Sequence, residues 1–135
     1  MLRAVRIAAT LLPLLAGIAR AEEPKVLNLD ELDPQEVKDL LGVWIIKDQR
    51  GRKQCRVVLK REPTIGGMQI DVDPKCPKVF PVMGDITAWR LMEGWEIRLA
   101  DGERKTRIRF FTPDNRYVAE PETDGIFTID QGPRR

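Results

Sequence analysis

Residues 33–47 read DPQEVKDLLGVWIIK, and the spacing of the apolar positions changes inside that stretch. Asp33 is a good N-cap, Pro34 suits the first helical position, and Glu36, three residues after the cap, can bond back to it. Val37, Leu40 and Leu41 follow at helical spacing, and Gly42 is a natural stop. The pattern predicts one short helix over 33–41, about two turns, too short to stand alone in water and therefore laid against something. From Gly42 onward the period is two, with Trp44 and Ile46 alternating with Val43 and Ile45.

The alternation continues towards the carboxyl end. Cys55, Val57 and Leu59 alternate with Arg56, Val58 and Lys60, and Met68, Ile70 and Val72 with Gln69, Asp71 and Asp73. Further strands are predicted at Ile86–Leu91, Trp95–Leu99, Ile108–Phe110, Tyr117–Glu120 and Ile126–Ile129. Turn residues such as Asp48-Gln49-Arg50-Gly51, Glu93-Gly94, Asp101-Gly102 and Pro113-Asp114-Asn115 separate them. About eight short strands at this spacing predict a small antiparallel barrel or sandwich over 42–130, apolar on one face and charged on the other. Trp44, Trp89 and Trp95 are read as core residues on strands, since large aromatics at period-two positions bury more often than they stack ligands. The stripe Arg104, Lys105, Arg107 and Arg109 is read as a solvated strand face. Residues 131–135 read as a frayed tail.

Towards the amino end the character changes. Arg3 and Arg6 precede an apolar run from Ile7 to Ile18, and Ala19-Arg20-Ala21 closes it with small residues. A basic start, a run too short for a bilayer span and a small-x-small exit predict a cleaved secretory signal over 1–21. Residues 22–32, EEPKVLNLDEL, have no sustained period and read as an extended arm. Loss of the three signal arginines, with no acid lost, takes the formal charge from +2 to −1. A near-neutral mature chain has no field to gather phosphates, so nucleic acid is not an expected partner.

The chain has two cysteines and no histidine. In an oxidising compartment a disulfide between Cys55 and Cys76 is the default, with free thiols or a metal site as the alternatives. The missing histidine removes the usual triads and HExxH chemistry. The acids lie scattered at turns and strand surfaces. No enzyme activity, cofactor or metal of its own is expected.

Several segments in order carry a resemblance: Leu41-Gly42-Val43-Trp44-Ile45-Ile46, Cys55-Arg56-Val57-Val58-Leu59, Cys76-Pro77-Lys78, Trp89-Arg90, Glu93-Gly94-Trp95-Glu96-Ile97-Arg98-Leu99, Asp101-Gly102, Arg109-Phe110-Phe111 and Arg116-Tyr117. The ordered set, covering roughly Leu40 to the end, resembles the bacterial alkaline proteinase inhibitor family, periplasmic inhibitors of serralysin-type zinc metalloproteases. The resemblance implies an all-β fold, a small eight-stranded antiparallel barrel with one disulfide, Cys55–Cys76. It also implies a trunk, here Glu22, Glu23, Pro24, Lys25 and Val26, that enters a protease cleft. The α-amino group of Glu22 would approach the target's zinc while the barrel rim packs beside the cleft. The expected state is a periplasmic monomer. This arm and helix look longer than the family's, and the arm opens with two acids where small residues are usual. Two other readings stand beside it. One is a cell-envelope interaction protein of the same fold without inhibition. The other is a small lipocalin-like carrier, suggested by Gly42-x-Trp44.

Overall fold

The computed structural model describes Ala4, residues 8–10 and residues 23–133. The predicted signal segment, Glu22 and the terminal Arg134 and Arg135 lie outside the described residues, apart from those four positions. Eight strands form a closed antiparallel barrel in sequence order: β1 Gly42–Lys47, β2 Gln54–Thr64, β3 Gly67–Val72, β4 Ile86–Leu91, β5 Ile97–Asp101, β6 Thr106–Phe111, β7 Tyr117–Thr123 and β8 Ile126–Gln131. Helix α1 spans Pro34–Leu40, and Asp33 caps it by accepting from the Gln35 N–H at 2.8 Å. Gly42 leaves the helix at φ +115°, a left-handed value that favours glycine.

The alternation read in the sequence is the alternation of the barrel wall. Trp44 and Ile46 on β1 and Cys55, Val57 and Leu59 on β2 are buried. Trp89, Phe80, Phe110, Met83, Leu91, Ile97 and Leu99 are each at most 1% exposed and fill the interior. An eight-stranded barrel has a bore its own side chains can fill, and here they do.

In an up-and-down barrel successive connections alternate between the two ends. One end carries α1, the arm and the β2–β3, β4–β5 and β6–β7 connections. The other carries the long β3–β4 connection, where helix α2, Cys76–Val79, and the 3-10 turn Pro81–Gly84 bury Cys76, Val82 and Met83. Phe80, between them, is also buried. The disulfide Cys55–Cys76, with Cα atoms 5.0 Å apart, ties that connection to the start of β2. It closes a loop with a sequence separation of 21, so replacing both cysteines with serine should lower stability by about 3 kcal/mol on the chain-entropy argument. Denaturant unfolding of the two proteins would measure it.

Strand β5 is buried along its whole length, on both faces. The tip of the β2–β3 hairpin folds over the outer side of the neighbouring β4 and reaches the β5–β6 turn. A Cβ placed on Gly66 would lie 3.6 Å from the Ala88 Cβ and from the Arg104 Cα. The Arg90 guanidinium holds the tip down, donating to the Gly66 carbonyl and, at 2.7 Å, to that of Arg104. Gly67 follows at φ +149°, where a Cβ would run into the Trp89 carbonyl oxygen, so the close approach of β3 to β4 requires glycine here.

Three boundaries differ from the sequence reading. Trp95 is not on a strand: it ends the 3-10 turn Glu93–Trp95, half-buried at φ 64°. Strand β8 runs through Gln131, and the Gly132 N–H donates to the Val43 carbonyl at 2.8 Å, so the first residues of the expected frayed tail belong to the barrel. Part of the arm is also attached to the barrel. Main-chain hydrogen bonds fix the arm and the end of β8, and the return of the chain from Met92 to Glu96 sets the backbone at Trp95.

Candidate functional site

The end of the barrel that carries α1 also carries the arm. Leu27 and Leu32 pack against the core and Leu29 is buried, which lays residues 27–32 on the barrel. Asn28 accepts from the Asp30 N–H at 3.0 Å, starting a 3-10 turn over Leu29–Glu31, and Asp30 pairs with Arg61 on β2. Ahead of this anchor the chain is extended and adds to the sheet. The Leu27 N–H donates to the Leu91 carbonyl at 2.8 Å, Val26 stands opposite Met92 as an antiparallel bridge, and the Lys25 carbonyl accepts from the Glu93 N–H at 2.8 Å. This is strand addition at the end of β4.

Of the expected trunk residues, Lys25 and Val26 are therefore bound to the barrel through their main chain. The Val26 side chain still faces outward, 58% exposed, one of two large apolar side chains so exposed among the described residues. Pro24 is half-buried and Glu23 exposed. No main-chain hydrogen bond to the barrel is described ahead of Lys25.

The receiving element is the β4–β5 connection. It folds back on itself, with Met92 N–H bonded to the Glu96 carbonyl at 2.8 Å and Trp95 N–H to the Met92 carbonyl at 3.0 Å. Gly94 at φ 77° and Trp95 at φ 64° are both left-handed, conformations costly for a residue as large as tryptophan unless its surroundings hold it. Trp95 packs against the core. Directly after it, Glu96 and Arg98 form a buried pair, Nε to Oε1 at 2.8 Å, with side chains 5% and 6% exposed, and Arg109 Nε lies 3.9 Å from the same carboxylate. A buried pair of this kind is costly to break from either side, since the remaining charge is stranded.

Beside the bend, Trp44 and Tyr117 meet edge to face with ring centres 5.6 Å apart. The Trp44 indole N–H donates to the Leu40 carbonyl at 2.8 Å, satisfying the last turn of α1. Burial pushes the Tyr117 hydroxyl up to about 12, so it stays neutral. Trp89 is core, as expected, and its indole N–H donates to the Lys60 carbonyl at 2.9 Å.

The arginine stripe is largely ion-paired. Arg107 lies 3.2 Å from Asp85 and 3.4 Å from Asp101, and Lys105 lies 3.4 Å from Glu103. The Lys105 N–H, then the Glu103 N–H and the Arg107 guanidinium, hold the Asp101 carboxyl below its ordinary value. Among the described residues no group of three or more Cys, Asp or Glu is placed to hold a metal ion, and no helix is long and apolar enough to cross a membrane.

Sequence reasoning missed the Glu93 N–H, the Arg90 clamp and the buried Glu96–Arg98 pair. The alternation of Leu27 and Leu29 with Val26 and Asn28 was the available signal that the arm is a strand with a buried side.

A family model described as "Protease inhibitor Inh" matches residues 34–130. No curated protein and no solved structure matches the chain.

Proposed function

Because the chain belongs to the protease inhibitor Inh family, the bacterial alkaline protease inhibitors, we propose that its partner is a serralysin-type zinc metalloprotease and that it meets that enzyme in or from the periplasm. The amino-terminal residues Glu22, Glu23 and Pro24 enter the cleft, and the barrel end bearing Val26 and the β4–β5 bend packs at the rim. The supporting observation is the strand addition at Met92, which ends at Lys25 and releases the chain from a fixed point on the barrel. A terminal amine, when neutral, can occupy the open position of a catalytic zinc. Its ordinary pKa is about 8, and coordination itself favours the neutral form. The signal peptidase then creates the group that acts.

The first experiment is amino-terminal sequencing of the exported protein, followed by titration against a serralysin-type protease. Stoichiometric inhibition by material starting at Glu22 is the expected result. One extra residue ahead of Glu22, or acetylation of its amine, should weaken inhibition at least about tenfold, roughly 1.4 kcal/mol. Unchanged potency would move the contact to the barrel rim and sink the role of the amine. The Cys55→Ser, Cys76→Ser variant should inhibit normally per folded molecule, because the disulfide ties the opposite end of the barrel.

One observation favours a second reading. Residues 25–32 pack on the barrel, as they would in an envelope interaction protein that has kept the fold without inhibition. Correctly processed protein that leaves proteases untouched would select it. The carrier reading has no such support, since side chains fill the barrel interior.

A further inference from the structure

The arm is attached at a single main-chain donor nearest its free end, and that donor sits on a bend with two consecutive left-handed residues, Gly94 and Trp95. We propose that the Glu93 N–H, presented by the Gly94–Trp95 bend, is the positioning group that aims the amino-terminal residues for inhibition. The inference rests on the proposed function and adds to it the residue that sets the direction of the trunk.

Three observations support it. The Glu93 N–H to Lys25 carbonyl bond, at 2.8 Å, is the last tie between the arm and the barrel. The next tie inward is the Leu27 N–H to Leu91 carbonyl bond. Without the Glu93 donor the release point moves from Lys25 to Leu27, and the untethered end of a chain starting at Glu22 grows by Lys25 and Val26. The donor itself cannot drift. Two left-handed residues follow it, Trp95 is packed on the core, and the buried Glu96–Arg98 pair fixes the start of β5. Such a bend is worth its strain if it presents a group in one direction. A pre-ordered end loses less freedom on entering a cleft, which is where affinity for extended segments is usually forfeited.

The side chain of Glu93 is exposed and plays no part in this, so main chain and side chain can be separated by mutation. Glu93 is the first residue of its 3-10 turn, where proline is well tolerated. Met92 before it is extended at φ −106°, ψ 163°, the conformation a following proline demands. Glu93→Pro therefore removes the donor with little else disturbed, and Glu93→Ala is the conservative variant that keeps it.

The test measures inhibition of a serralysin-type protease, melting temperature and the backbone order of the Lys25 and Val26 amides in the parent and both variants. Ordering two more backbone residues on binding costs on the order of a tenfold loss of affinity or more. Glu93→Pro should therefore inhibit about tenfold more weakly, with its melting temperature near the parent's and with Lys25 and Val26 mobile. Glu93→Ala should match the parent in melting temperature and in the order of Lys25 and Val26 and should inhibit about tenfold more strongly than Glu93→Pro, any loss relative to the parent measuring the exposed side chain's own contact at the rim. Full potency in Glu93→Pro would overturn the inference, as would an equal loss in Glu93→Ala. If the parent inhibits no metalloprotease, the proposed function fails by itself. The amide measurement then still decides the attachment, because an arm that stays rigid in Glu93→Pro is not held by this donor.

Discussion

A chain shortened to begin at Lys25 should inhibit a serralysin-type protease at least about a hundredfold more weakly than one beginning at Glu22, roughly 2.7 kcal/mol, with unchanged thermal stability. The two halves of that expectation come from one boundary. From Lys25 inward the arm is part of the fold: strand addition at Met92, Leu29 buried, Asp30 paired with Arg61. Removing what precedes Lys25 takes away none of those contacts, so the melting temperature should hold. Glu22, Glu23 and Pro24 extended reach about 10 Å beyond the last tie, and in the proposed mode they alone enter the cleft. Pro24 narrows the conformations available to that short reach. The pH dependence is a second handle on the same residues. A protonated amine cannot ligate, so inhibition by the full chain should strengthen as pH rises through about 8, whereas the shortened chain should lack the step. Equal potency of the two chains across pH would remove the trunk from the mechanism and leave the rim.

The second large effect is on stability. Trp89→Ala is expected to cost about 4 kcal/mol, read by denaturant unfolding. Trp89 is fully buried, the largest of the interior side chains, so its removal leaves a cavity that the barrel wall cannot collapse into. A second loss accompanies it. The ladder between β2 and β3 shifts register between Leu59 and Pro63, and the Lys60 carbonyl inside that irregularity is taken by the Trp89 indole N–H. Trp89→Phe separates the two terms: it keeps most of the volume and strands the carbonyl, for about 1–3 kcal/mol. Domains of this kind are stable by only about 5–15 kcal/mol in total, so the alanine variant should be partly unfolded well below the parent's transition. If Trp89→Phe were neutral, the indole bond would contribute nothing and packing would account for the whole effect.

The barrel was legible because its walls obey the period of two at β1, β3, β6 and the first half of β2, where one face is core and the other wet. Helix α1 was legible from Asp33, Pro34 and the spacing of Val37 and Leu40, and its place at the start of β1 follows from being too short to stand alone. Strand β5 hid its surroundings, since Arg98 and Ala100 look like an exposed face, yet Arg98 is buried in its pair with Glu96 and Ala100 stands opposite Ala88, on which the Gly66 tip lies. At the site, the apolar and charged side chains named the arm but not its partner. The groups that join Lys25 to Glu93 are a carbonyl and an amide that every residue but proline carries, so no choice of side chain marks them. Trp95 was misplaced for the opposite reason: its bulk suggests a strand, and its left-handed backbone is dictated by the return of the chain from Met92 to Glu96.

The seam between β1 and β8 is unlike every other seam in the sheet. Seven of the ladders join strands that follow each other along the chain, while this one pairs Trp44 with Gln131 and Lys47 with Thr128. Local ladders form early and cheaply, and the pairing of distant segments waits for the longest loop to close. Without β8 the sheet would be an open ribbon with two bare edges, the arrangement most prone to pair with its own kind. The carboxyl-terminal strand is thus the lock on the fold, and the moment it arrives separates a nascent sheet that aggregates from a sealed particle with nothing left to pair.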